Sequence, residues 1–312
     1  MVVRTDRSEG RVDAGPHSYA ELARRLRADM EANDAPWDVT RRAADRAGVS
    51  IRHLTRPSDV DRVMAVIESV WGDQAMPRAL LRAFQHAGSC FLGAETGGEV
   101  IGFVLGFTGS AEGPHLHSHM LAVRPEARSA GIGFALKLAQ RAAAIDEAIE
   151  EIRWTYDPLI ARNARFNLSR LGAVATAYFE NFYGDMPDRL NRGDRSDRFE
   201  VRWRLRSAWV ERVLRSGAPG VDLAGRGSIL GAGGPRDAPR PVETGERPAN
   251  GVIASIPPDY QALRERDPDL AREWREASGR AFAACFDGGL VARTFDGGAY
   301  RFQPSEEPHL AE

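Results

Sequence analysis

The chain has 312 residues, 43% of them hydrophobic, with a formal net charge of -2. That composition supports one large core or two smaller ones, and gives no electrostatic reason to expect nucleic acid as the partner. Its two cysteines, Cys90 and Cys285, stand far apart and form no C-x-x-C pair, which argues against a zinc knuckle or a redox dithiol. Arginine supplies almost all the basic charge, and Lys137, the only lysine, reads as a bias of composition.

Residues 1–15 are charged, glycine-punctuated and without an apolar stretch, so they read as disordered and not as a secretory leader. His17 to Ala47 has helical character, with Leu22, Leu26 and Met30 at four-residue spacing. Residues 1–48 are therefore read as an N-terminal arm. From Val49 the pattern alternates. Ser50 to Leu54 predicts a strand, and Pro57 to Val70 and Pro77 to His86 predict helices that open at proline. Cys90 to Glu95 and Val100 to Phe107 predict a hairpin closed by Gly97-Gly98. His115 to Val123 reads as a strand, Gly131 to Glu147 as a helix, and Ile152 to Tyr156 as a strand. Arg162 to Leu171 follows as a helix, then Ala175 to Phe182 and Phe199 to Leu205 as strands. The arginine-dense stretch from Arg189 to Arg206, interleaved with acids, reads as a solvated, ion-paired surface.

Residues 211–251 are rich in glycine and proline and read as a linker. Beyond them Val252 to Ile256 predicts a strand. Asp267-Pro268 caps a helix running to Phe286, and Leu290 to Phe295 and Tyr300 to Phe302 predict two more strands. This gives an α+β fold: a central mixed, mostly antiparallel sheet flanked by helices over residues 49–210, and a smaller α+β extension over 252–312 packed on it. No run reaches the eighteen or so apolar residues of a membrane helix, so neither membrane nor nucleic acid is an expected partner. The chain reads as cytoplasmic.

One segment carries chemistry. Arg128-Ser129-Ala130-Gly131-Ile132-Gly133 joins a strand to a helix. Backbone N–H groups at a helix start lack internal acceptors and, with the helix dipole, suit a diphosphate. Glycines there let a ligand approach the backbone, and Arg128 adds a charge-assisted contact. The spacing is not the G-x-G-x-x-G of dinucleotide sites.

This run, with its lead-in Leu121-Ala-Val-Arg-Pro-Glu126, resembles the acyl-CoA signature of the GNAT superfamily of N-acyltransferases. The order of elements from Val49 to Leu205, about half the chain, is similar to that superfamily's. Phrases such as Leu116-His-Ser-His-Met120 and Asn163-Ala-Arg-Phe-Asn-Leu168 resemble a bacterial branch of predicted acetyltransferases. The resemblance implies a GNAT-like fold and acetyl-CoA, or another acyl-CoA, as co-substrate, with no metal. The strand bearing Leu121 and Val123 would part from its neighbour to admit the pantetheine arm. The diphosphate would meet the amides of Arg128, Ser129, Ala130, Gly131, Ile132, Gly133 and Phe134. Asn163 matches a position near the cofactor arm, and as an ordinary residue it reads as a helix N-cap.

Transfer to an amine requires removal of a proton. The superfamily often places a carboxylate where this chain has His117. Strand alternation puts His115, His117, His119, Leu121 and Val123 on one face, and an imidazole suits the task. His117 is expected first as the base and His119 second. Their alternation would also suit a metal, and as ordinary residues they would hydrogen-bond within the sheet. The usual acid, a tyrosine, is replaced by Leu168, with Tyr183 and Tyr178 as nearby substitutes. Asp157 would hold a substrate ammonium or simply shape the turn before Pro158. The expected function is N-acetyl transfer to the primary amine of a small molecule, by direct attack because no cysteine lies in the motif. A homodimer is compatible with the sequence. The alternatives are a non-catalytic acyl-CoA-binding module, which Leu168 favours, and a protein-modifying or nucleic-acid-associated acetyltransferase, supported by the arm and the arginine-rich stretch.

Overall fold

The computed structural model describes residues 36–72, 76–128, 130–186, 188, 192–220, 227–235, 238–245 and 251–305. The stripe Leu22, Leu26 and Met30, candidate Ser129, and residues 221–226, 236–237 and 246–250 of the expected linker lie outside them.

Helix α1 (Pro36–Arg46) leads into strand β1 (Ser50–His53), then α2 (Pro57–Trp71) and α3 (Arg78–His86). Pro57 costs α2 nothing, because its missing N–H would be unpaired at the first helical position. The Asp59 carboxylate accepts from Arg56 N–H at 3.0 Å and closes the N-terminus. The hairpin β2 (Cys90–Thr96) and β3 (Glu99–Gly109) turns at Gly97 and Gly98, both at positive φ (57° and 82°), as a tight primed turn requires. Next come β4 (His115–Val123), α4 (Ile132–Asp146) and β5 (Glu151–Tyr156). The single helix expected after β5 is instead one α-turn, α5 (Ala161–Ala164), continued as a π-helical stretch over Arg165–Arg170. Strands β6 (Val174–Phe179) and β7 (Arg198–Arg204) complete the first half.

The second half holds α6 (Ala208–Ser216), β8 (Ser228–Gly233), β9 (Arg240–Glu243) and β10 (Val252–Ser255). Helices α7 (Tyr260–Arg266) and α8 (Pro268–Asp287) and the hairpin β11 (Leu290–Asp296) and β12 (Ala299–Pro304) follow. Asp267 caps α8 by accepting from Leu270 N–H at 3.0 Å. The segment expected to be a linker therefore contributes most of α6 and the β8–β9 hairpin. Among the described residues of the β8–β9 hairpin only Ile229 and Leu230 are large and buried apolar, too few to show a period in the sequence.

All twelve strands join one sheet in the order β1-β2-β3-β4-β5-β7-β6-β11-β12-β10-β8-β9. Only the β4–β5 and β8–β10 pairs are parallel. On one face α2 and α3 bury Val60, Val63, Ile67 and Leu81 against Phe91, Phe103 and Leu105. On the other, α4 buries Leu136, Ala139 and Ala143 in a core that also contains Val104, Leu116 and Trp203. Each large side chain so buried stabilises the fold by roughly 1.5–3 kcal/mol. The same core runs into the extension through Trp274, Phe282, Tyr300 and Phe302. Among the described residues no helix is long and apolar enough to cross a membrane.

Candidate active site

A cavity of about 730 Å³ opens between β4 and β5. The two strands pair only at Leu116 with Ile152 and at His117 with Arg153, then part. The parting coincides with a bulge in β4: Gly106 faces Ser118 and Leu105 faces Met120, so His119 is the extra residue. Gly106 permits this geometry, since a Cβ there would meet the His117 carbonyl and Gln140 Nε2, each at 2.9 Å.

The bulge corrects the alternation expected for β4, because one inserted residue exchanges the faces beyond it. His117 shares the α2–α3 face with Met120 and Ala122, whereas Leu121 and Val123 pack with Leu116 on the α4 side. His117 packs with its ring tilted 5.1 Å from that of Phe107, outside the cavity wall, and burial followed by the charges of His119, His115 and Lys137 pushes its pKa down to about 4. His119 stands in the cavity wall, solvent-exposed at the bulge. The protein mass around it still lowers its pKa, so it is neutral at physiological pH. His115 is buried and its Nδ1–H donates to the Gly113 carbonyl at 2.9 Å.

Leu121 faces the same cavity, opposite Trp154, Thr155, Tyr156 and Asp157 of β5 and its end. Asn163 also lines it but is not the helix cap; that position is Ile160. Tyr183 lies at the wall with its hydroxyl 3.1 Å from Thr155 Oγ1. Tyr178 turns away and donates to Asp197 at 2.6 Å. Leu168 is core. Asp157 is unavailable to a substrate ammonium: Arg275 holds it bidentately at 2.8 and 2.9 Å, and Leu159 N–H donates to it at 2.9 Å. Burial raises its pKa, but the charge and hydrogen bonds of Arg275 outweigh that and keep it ionised. Of the arginine-dense stretch, residues 189–191 are outside the described region, and Arg198 is buried on β7 and lines the cavity.

Beside the gap, Pro125–Ala127 forms a 3-10 turn that ends at Arg128, and α4 opens at Gly131, whose φ of 88° and ψ of 0° are left-handed. The first helical bond is Ala135 N–H to the Gly131 carbonyl at 3.0 Å. The amides of Ile132, Gly133 and Phe134 thus have no acceptor within the helix. A Cβ on Gly133 would make only ordinary contact with Leu121 and Val123, at 3.9 and 4.0 Å. Gly133 leaves room beside β4 that the protein itself does not fill. A second hollow of about 260 Å³ at this helix start is lined by Ala130, Gly131 and Phe134 together with Arg46 and Arg170. The Arg170 guanidinium lies 4.8 Å over the Phe134 ring.

Sequence reasoning missed Arg46, Arg170, Ser118 and Lys137. The first comes from α1 and the second from the end of the π-helical stretch, so no local motif links them. The isolation of Lys137 among so many arginines was its only signal. Neither thiol is a nucleophile here, since burial pushes Cys90 and Cys285 up to about 12.

The sheet thus parts beside a helix whose first amides have no acceptor within it. Residues 51–165, rather more than a third of the chain, match the Acetyltransferase (GNAT) family. No curated protein matches the chain significantly. Among solved structures it is similar to the ribosomal-protein-S18-alanine N-acetyltransferase of Escherichia coli, at 14% identity and TM-score 0.43, covering 51% of this chain and 96% of that one. It is similar to yncA of Salmonella typhimurium, solved with its cofactor acetyl-CoA, at 16% identity and TM-score 0.42, over 56% and 99% of the two chains. An N-acetyltransferase of Staphylococcus aureus matches at 15% identity and TM-score 0.40, over 50% and 98%. The likeness to that family rests on the sequence match over residues 51–165.

Proposed function

We propose that this chain transfers the acetyl group of acetyl-CoA to the primary amine of a small molecule by direct attack, with His119 as the proton acceptor. The observation that carries this reading is the parting of β4 and β5 after His117, next to the amides of Ile132, Gly133 and Phe134, which have no acceptor within α4. The amides would take the diphosphate, aided by Arg46 and Arg170, and the pantetheine arm would run along Leu121 and Val123. His119 is preferred to His117 because it stands in the cavity wall, whereas His117 lies outside it.

A small acceptor is favoured by the extension. Tyr260, Gln261 and Arg264 from α7 wall the cavity and turn an edge of the sheet into a pocket. The amine attacks the thioester carbon while His119 takes its proton, and free coenzyme A thiol leaves. The test is thiol release from acetyl-CoA across a panel of amines and peptides. Turnover with small amines and none with peptides is expected. Turnover with peptides alone would replace the acceptor class, and tight coenzyme A binding without any turnover would support a non-catalytic module.

A further inference from the structure

Lys137, the only lysine of the chain, is 2% exposed and lies beneath the gap on the α4 side. Its Nζ donates to Ser118 Oγ at 3.0 Å and to Gln140 Oε1 at 2.9 Å, and sits 3.6 Å from the centroid of the Trp154 ring. Trp203 presents a second ring at 5.6 Å. Two oxygen acceptors and an aromatic face match the three N–H groups of an ammonium. Among the described residues no carboxylate pairs with it. The titratable groups whose charge it feels or influences are Cys90 from β2 and, across the sheet, His117 from β4, and neither is an anion near neutral pH.

A buried cation without a counter-ion destabilises a fold, and an apolar side chain of similar volume is often more stable at such a site. Retention of that charge makes sense where the charge acts on something. Both Ser118 and Lys137 line the cavity. Ser118 Oγ accepts a hydrogen bond from Lys137, which leaves the serine's own O–H to donate elsewhere. The helical position where the family resemblance expects an acid holds Leu168, which has no proton to give.

We propose that Ser118, polarised and positioned by Lys137, is the acid of the reaction and protonates the departing coenzyme A sulfur. This rests on the acyl-transfer reading above. As the tetrahedral adduct collapses, the C–S bond breaks and its electron pair goes to sulfur. The Ser118 proton moves to that sulfur, and Ser118 is refilled from the Lys137 ammonium. Lys137 regains a proton from solvent, while His119 releases to solvent the proton taken from the amine. Burial brings the Lys137 pKa down to about 7, so the ammonium gives up its proton readily.

A sole lysine allows a direct test in the intact chain. With an NMR-active carbon label on lysine Cε, one resonance reports Lys137 alone. Acetyl-CoA should move that resonance in the wild type, and desulfo-coenzyme A should move it less. Lys137→Met should lower kcat by about 10²-fold with little change in KM for acetyl-CoA, and should raise the unfolding temperature. Ser118→Ala should lose a similar factor, and the double variant should lose no more than either single one, because the pair acts as a unit. The inference is overturned if acetyl-CoA binds by calorimetry yet leaves the lysine resonance in place, or if Lys137→Met keeps kcat within about twofold. Absence of any coenzyme A binding would instead sink the acyl-transfer reading, and this inference with it.

Discussion

Among the seams of the twelve-stranded sheet where backbone pairing is thin, two stand in contrast. At β4–β5 two residue pairs are in register, and at β6–β11 only Ala175 with Ala292. The second seam is filled. Phe199 packs 4.7 Å from Phe282 and 5.3 Å from Tyr300, and Ser169 both donates to and accepts from the Phe295 backbone. Arg275 ties the two halves together over Asp157 and Asp194. The first seam is left open beyond His117 and is lined by His119, Ser118, a buried cation and the edges of Trp154 and Tyr156. Thin pairing therefore does not by itself make a site. The difference lies in what fills the space: interlocked aromatic rings at the joint, polar and titratable groups at the gap.

Substitutions at each seam sharpen this contrast. Arg275→Leu should have the largest effect, because it leaves the half-buried Asp157 carboxylate without its paired cation. A loss of roughly 3–5 kcal/mol in a denaturant titration is expected, whereas a loss under about 1 kcal/mol would mean the extension does not depend on this clasp. At the open seam, Gly131→Glu should weaken coenzyme A binding by about 10²-fold or more. It places a carboxylate where a diphosphate is expected, and a side chain on a left-handed residue costs about 1–2 kcal/mol in addition. Calorimetry reads this, and equal affinity would contradict the loop's role.

His119→Ala should reduce kcat/KM by about 10²-fold while His117→Ala stays within severalfold of wild type. Because the His119 pKa is lowered, the base is already deprotonated at neutral pH. Wild-type kcat/KM should therefore rise with pH only through a value below 6.5 and be flat just above it. A limb centred above 7, or loss of activity in His117→Ala alone, would reassign the base. Arg46→Ala should be mildest, weakening coenzyme A binding by roughly 0.5–1 kcal/mol, and less at high salt, as for one exposed charge.

The frame of the first half was legible in the sequence because its elements are marked locally. Proline starts, the Gly97-Gly98 turn and the Gly131 helix opening each follow from one or two residues. The strand and helix limits of β4 and α4 fall within a residue of expectation. What escaped was non-local. The bulge at His119 depends on Gly106 in the neighbouring strand, so alternation along β4 alone put the histidines and Leu121 on one face. Asp157 read as a turn residue or ammonium ligand because its partner, Arg275, lies 118 positions away. The β8–β9 hairpin was hidden by glycine and proline in strands that pair at the sheet's far edge. Lys137 carried no local signal of burial, since α4 is apolar on several faces.

Amide hydrogen exchange of the intact chain, with and without acetyl-CoA, tests the central claim most directly. Protection is expected in residues 118–123, in 131–134 and in 154–157, the two walls of the gap and the helix opening beside it. Acetyl-CoA that binds while these segments exchange unchanged, with protection elsewhere, would contradict the account.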